Sequence, residues 1–166
     1  TTELFSLALG LTAPWYVKDI TFDAEAHRLD LDIDFQAGSK FTCPSCKRTG
    51  CGVHDTQKRT WRHLDFFQHQ AYINARVPRT NCPACGVKLV DVPWARAGSG
   101  FTLLFEILVL TLAQNMAIRP LARLLQIHIG ALVKEVEQRV AADEVEVLTA
   151  GHRHHGRQHA RWRQHQ

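Results

Sequence analysis

The chain has 166 residues, of which 45% are apolar and 22% charged, enough for one domain or two very small ones of ordinary globular composition. That composition excludes a wholly disordered chain, and 10 glycines without a period of three exclude collagen. The longest apolar stretch, Leu103 to Met116, is broken by Glu106 and Gln114 and falls short of the roughly 20 residues that cross a bilayer. No basic-then-apolar leader stands at the start, so the expected compartment is the cytoplasm and no membrane partner is expected. The net charge of +4 is unevenly spread: residues 1–39 carry two bases and seven acids, and residues 40–98 ten bases and three acids. A basic middle beside an acidic start suggests a face built for a polyanion, with a solvated surface as the plain alternative.

In chain order, residues 1–15 are mildly apolar and read as a short helix or a packing arm. Leu29, Leu31, Ile33 and Phe35 then alternate with Asp30, Asp32 and Asp34, the period of two of a half-buried strand. With Ile20–Phe22 and a turn at Asp23–His27 this predicts a hairpin. The three aspartates spread over roughly 13 Å of strand, too far for one ion, and are placed on its solvent face. Two short strands are expected within 59–77 and a third over Lys88–Val92. Beyond Pro93, Phe101, Leu104, Phe105, Leu108, Leu112 and Met116 recur at helical spacing, with Ser99 as the expected N-cap.

The five cysteines are the sharpest signal. Cys43-Pro44-Ser45-Cys46 and Cys82-Pro83-Ala84-Cys85-Gly86 are two copies of one knuckle, and in a reducing compartment such pairs are metal ligands more often than disulfides. Together they make a closed four-thiolate set, which suits one structural Zn²⁺ and leaves no open position for catalysis. Gly86 sits where a positive φ is useful. A redox pair is disfavoured by the duplication. Cys51 is left over, as a free thiol or a substitute ligand, and His54 and His63 read as surface or packing histidines.

Residues 118–140 read as two short helices around a turn at Gln126–Ile129, with Pro120 in the first turn and Leu132, Val133 and Val136 inward. After the helix at 101–116 this fits a helix-turn-helix, and equally any three-helix bundle. As a recognition helix, the second would bring Lys134, Gln138 and Arg139 to DNA. Gln126 stands where Gly is favoured, and Glu135 and Glu137 would repel phosphates. Lys58, Arg59, Arg62, Arg76 and Arg79 of the cysteine module, interleaved with aromatics, are the other candidate DNA contacts.

Several separate runs, in order, resemble the start of the ISL3 family of insertion-sequence transposases. They are Cys43-Pro44-Ser45-Cys46, Val53-His54-Asp55, Trp61-Arg62-His63-Leu64-Asp65 and Arg76-Val77-Pro78-Arg79. Cys82-Pro83-Ala84-Cys85-Gly86, Val92-Pro93-Trp94-Ala95-Arg96 and Ser99-Gly100-Phe101-Thr102 with Phe105-Glu106 extend the match. The resemblance covers about residues 1–148. It implies a zinc finger and helix-turn-helix that recognise terminal inverted repeats in double-stranded DNA. In the family these precede an RNase-H-like domain whose Asp-Asp-Glu triad binds divalent metal; no residue of that triad is carried over to this chain.

The sequence thus predicts an α+β protein: an arm and hairpin over 1–39, a Cys₄ zinc ribbon over 40–97, a helical module over 98–148 and a disordered Arg/His-rich tail over 149–166. The abrupt change at the tail suggests a frameshifted or truncated transposase. Cys43, Cys46, Cys82 and Cys85 are the expected zinc ligands, and no catalytic residue is expected. The function expected is terminal-repeat binding, with homodimerisation open. The alternative is a zinc-stabilised oligomerisation module, or a regulator that competes with transposase.

Overall fold

The structure is a computed structural model and describes residues 1–141; the tail expected over 149–166 lies outside the described residues. The fold is mixed α+β, as the sequence predicts. Two compact units divide it, Thr1–Phe105 and the segment from Glu106 onward.

The first unit is built on one five-stranded sheet. Helix α1 (Thr2–Ala8) leads into β1 (Trp15–Asp23) and β2 (Arg28–Phe35), an antiparallel pair. β1 begins earlier than its alternation shows, because a bulge between Val17 and Asp19 breaks the period of two. β3 (Val53–Arg62) and β4 (Gln70–Cys82) form a second antiparallel pair, and β5 (Gly86–Leu89) pairs with the far end of β4. The strand expected over Lys88–Val92 thus starts earlier, at the glycine that follows the second knuckle. Strand order is β1-β2-β4-β3, and β2 runs parallel to β4, from Arg28 beside Gln70 to Ile33 beside Ala75. The opening hairpin and the cysteine module therefore share one sheet.

One face of that sheet buries Trp15, Val17, Ile33, Trp61, Ile73 and Val77, with Phe5 of α1, Leu9 just beyond its end and Trp94 packed on them. Trp94 meets Trp15 and Trp61 edge to face at 5.0 and 5.6 Å, a geometry worth about 1 kcal/mol per pair beyond area burial. The other face carries charge. Asp34, expected on the solvent side, is only 4% exposed. Arg76 of β4 and Lys18 of β1 close over it, at 2.9 and 3.6 Å. Burial pushes its carboxyl up, but the bonds from Arg76 and the Phe35 amide, with the two positive charges, hold it below the usual carboxylate value.

After the sheet comes α2 (Leu103–Ala113). Its cap is Thr102 and not Ser99: Thr102 Oγ1 accepts the Phe105 N–H at 3.3 Å, while Ser99 Oγ is occupied with the Phe101 backbone. α3 (Ile118–Leu124) takes Pro120 in its first turn. α4 (Ile129–Ala141) is capped by a residue outside the usual set, His128, whose Nδ1 accepts the Gly130 N–H at 3.1 Å. Between α3 and α4, Gln126 has φ +53. Its N–H bonds the Arg123 carbonyl and the Ile127 N–H bonds that of Ala122, at 3.2 and 3.0 Å, the paired closure of a Schellman C-cap. Gly10 ends α1 by the same bonds at φ +63, so Gln126 stands in a glycine's place. Leu121 and Leu132 are fully buried within this unit.

Candidate metal centre and nucleic-acid interface

The two knuckles meet at one end of the sheet. The first lies in the loop between β2 and β3, closed by a bridge in which Phe41 and Cys51 exchange backbone bonds of 2.9 Å. The second is the turn from β4 to β5, where Cys82 pairs with Gly86. Each knuckle needs a left-handed residue just after its second cysteine: Gly86 at φ +72 in one, Lys47 at φ +60 in the other. The signal at Gly86 is legible; at Lys47 the same backbone carries no such mark.

The sulfurs of Cys43, Cys46, Cys82 and Cys85 all lie within 4.8 Å of one another, and Cys46 Sγ is 3.5 Å from Cys82 Sγ. Four thiolates at the usual Zn–S length of about 2.3 Å stand roughly 3.8 Å apart in a tetrahedron. The donor set therefore fits one structural zinc. The local fields prepare it. Cys82 is drawn down to about 6, chiefly by the Ala84 N–H and further by the Cys85 N–H, against burial. Cys43 is lowered by the Cys46 N–H and then the Ser45 N–H. Cys85 is pushed up to about 12, first by its bond with Cys46 and then by burial. A dication is what lets all four be thiolates together. Cys51 is 5% exposed and packs against Cys43 and Cys82; burial, then the Cys82 charge, raises its thiol. His54 is exposed. His63 is a packing residue whose Nδ1 lies 2.8 Å from Thr102 Oγ1.

The candidate DNA contacts fall into two groups. Lys58 is exposed on β3, and Arg59 reaches over Trp61 at 6.0 Å. Both line a groove of about 490 Å³ on the charged sheet face with Lys18, Asp32, Asn74 and Arg76. The other sheet arginines are engaged. Arg62 is 5% exposed, bonded to the His63 and Ala71 carbonyls at 2.5 and 3.2 Å and paired with Asp65. Arg76 grips both Asp34 oxygens at 2.9 Å, and Arg79 pairs with Asp55. On α4, Lys134 and Gln138 are exposed one turn apart. Arg139 instead reaches the buried Glu106 at 3.2 Å. Arg119 and Arg123, exposed on α3, were passed over in the sequence; their place beside the turn was the available signal.

Two family models match the chain. The zinc-finger of transposase IS204/IS1001/IS1096/IS1165 covers residues 39–85, and the helix-turn-helix domain of transposase family ISL3 covers residues 90–138. The transposase for insertion sequence element IS1557 from Mycobacterium tuberculosis (strain CDC 1551 / Oshkosh) is 30% identical over 147 residues, 81% of this chain and 32% of that protein. Its counterpart in strain H37Rv gives the same figures. The chain spans about a third of the length of these curated relatives. No solved structure matches it significantly. Among the described residues, no helix is long and apolar enough to cross a membrane. With both models matched in order, and four sulfurs gathered as a zinc ribbon requires, the chain belongs with the N-terminal region of the ISL3-family transposases.

Proposed function

We propose that this region binds double-stranded DNA at the terminal inverted repeats of an insertion element, as the recognition part of a transposase. The observation that carries the reading is the exposed face of α4, where Lys134 and Gln138 stand one turn apart behind the closed α3–α4 turn. Gln138 would read a base edge in the major groove and Lys134 a phosphate or base. Lys58 and Arg59 would add phosphate contacts, with Arg76 and Arg79 as half-exposed, ion-paired supports and Arg139 holding α4. Arg62 would act by fixing the end of β3. Cys43, Cys46, Cys82 and Cys85 would hold the zinc. We propose the organisation set out from the sequence: arm and hairpin, ribbon, helical module and tail. No strand-cleavage chemistry is assigned to this chain.

The test is fluorescence anisotropy with labelled duplexes from the two ends of the element, against a scrambled duplex, between 50 and about 200 mM salt. The expected result is preference for the ends and affinity that falls steeply with salt. Equal affinity for both duplexes would sink the terminal-repeat reading. A second reading, oligomerisation, is favoured by Leu104 and Ile107 of α2, which are 51% and 56% exposed. Concentration-dependent self-association without DNA binding at low salt would select it.

A further inference from the structure

We infer that the zinc centre contains a built-in replacement ligand: Cys51 takes the place of Cys46 when that sulfur is lost. The inference rests on the four-cysteine zinc reading and deepens it. The centre holds five cysteines, of which four have sulfurs within 4.8 Å. The fifth is the most unusual. Cys51 is 5% exposed, yet its neighbours are not an ordinary apolar core; it packs against Cys43 and Cys82. Its thiol makes one long contact with the backbone, 3.6 Å to the Arg48 carbonyl, and otherwise interacts with the Cys82 thiol of the centre itself. Its backbone, by contrast, is fixed by the paired bonds with Phe41, two positions from Cys43. Cys46 is the opposite case: it is the exposed member of the four.

An alkylating electrophile therefore meets Cys46 first, because it is the accessible sulfur of the four; the S–C bond forms as the electrophile's leaving group departs. The metal would be left on Cys43, Cys82 and Cys85 with one vertex open. A buried thiol already touching two of these three needs a side-chain rotation and loss of one proton to solvent to close the tetrahedron again. Four sulfurs are kept, and no electron is transferred. The plain alternative is that Cys51 only walls the centre.

The first experiment substitutes cobalt for zinc in the full chain and counts sulfur ligands from the thiolate-to-metal charge-transfer band. Wild type and Cys51→Ala should both show four sulfurs. Cys46→Ser should also show four, and Cys46→Ser with Cys51→Ala three, with the band smaller by about one quarter. A three-sulfur spectrum for Cys46→Ser alone overturns the inference but leaves the zinc reading intact, whereas a wild type that takes up no cobalt overturns that reading itself. Because Cys46→Ser could fail to fold, the second experiment uses the native zinc protein. Iodoacetamide is added in steps and intact complexes are weighed by native mass spectrometry. The first adduct should fall on Cys46 with zinc retained, and in Cys51→Ala the first adduct should release zinc. Zinc lost with the first adduct in wild type, or Cys51 alkylated while zinc stays bound, overturns the inference.

Discussion

The two candidate DNA faces of this chain use their charge differently. On the sheet, β4 meets the acids of β2 across a parallel pairing: the Arg76 guanidinium grips Asp34, and the neutral Asn74 amide donates to Asp30 at 2.8 Å. The strongly basic middle segment is thus partly neutralised by the acidic start. On α4, Lys134 and Gln138 face outward, and neither makes a side-chain hydrogen bond or ion pair among the described residues. A charge count along the chain ranks the sheet first as a polyanion surface. Pairing shifts the weight toward the helix, since a guanidinium already held by a carboxylate offers less to a phosphate.

Removal of the metal should have the largest effect on this contrast. Cys82→Ser, or a strong chelator, should unfold the end of the sheet while leaving α3 and α4 helical. Structural zinc contributes on the order of 10 kcal/mol, comparable to a whole domain's net stability; circular dichroism with and without chelator reads it. Arg62→Ala comes next. It takes the guanidinium from the His63 carbonyl and from Asp65, leaves the Ala71 carbonyl with the His63 N–H alone, and should cost about 1–2 kcal/mol in urea unfolding, with little change in the salt slope of DNA binding. Lys134→Ala should do the reverse: unchanged stability, DNA affinity lower by about tenfold and a salt slope smaller by about one. If Arg76→Ala weakens binding more than Lys134→Ala without loss of stability, the sheet and not the helix is the principal DNA face.

His63 gives a smaller, pH-dependent effect. Burial, and then the charge of Arg62, lower its pKa below the ordinary histidine value. The unfolded chain then binds the proton at higher pH than the folded one. Stability from this group is full above pH about 6.5 and falls as pH drops from there toward the folded value. His63→Gln should flatten that decline in thermal midpoint between about pH 7 and 5. The smallest effect is at Gln126. Replacement by Gly, which accepts φ +53 without a Cβ clash, should stabilise the second unit by about 0.5–1 kcal/mol.

Much of this was legible in local pattern. The duplicated knuckles announced four gathered sulfurs, the alternation of 29–35 announced β2, and the breaks at Pro120 and Gln126 announced α3 and α4. What stayed hidden depends on partners distant in sequence. Asp34 was assigned to solvent because alternation gives a side of the strand, while its burial comes from Arg76, 42 positions on. Arg62 looked like a surface base because only the fold shows its guanidinium between the Ala71 carbonyl and Asp65. Ser99 had the chemistry of a cap, but Thr102 holds the place, since the helix starts one turn later.

The parallel seam between β2 and β4 has a consequence for how the protein is made. A ribosome releases β2 long before β4, and every residue of the first knuckle and of β3 must emerge between them. Until then the β2 edge of the opening hairpin, which β4 later covers, is unpaired, and the first knuckle has half a coordination sphere. Such long-range closure slows folding, and an exposed edge invites pairing with other chains. The nascent chain is therefore most prone to aggregate in the interval between synthesis of Phe35 and of Cys85.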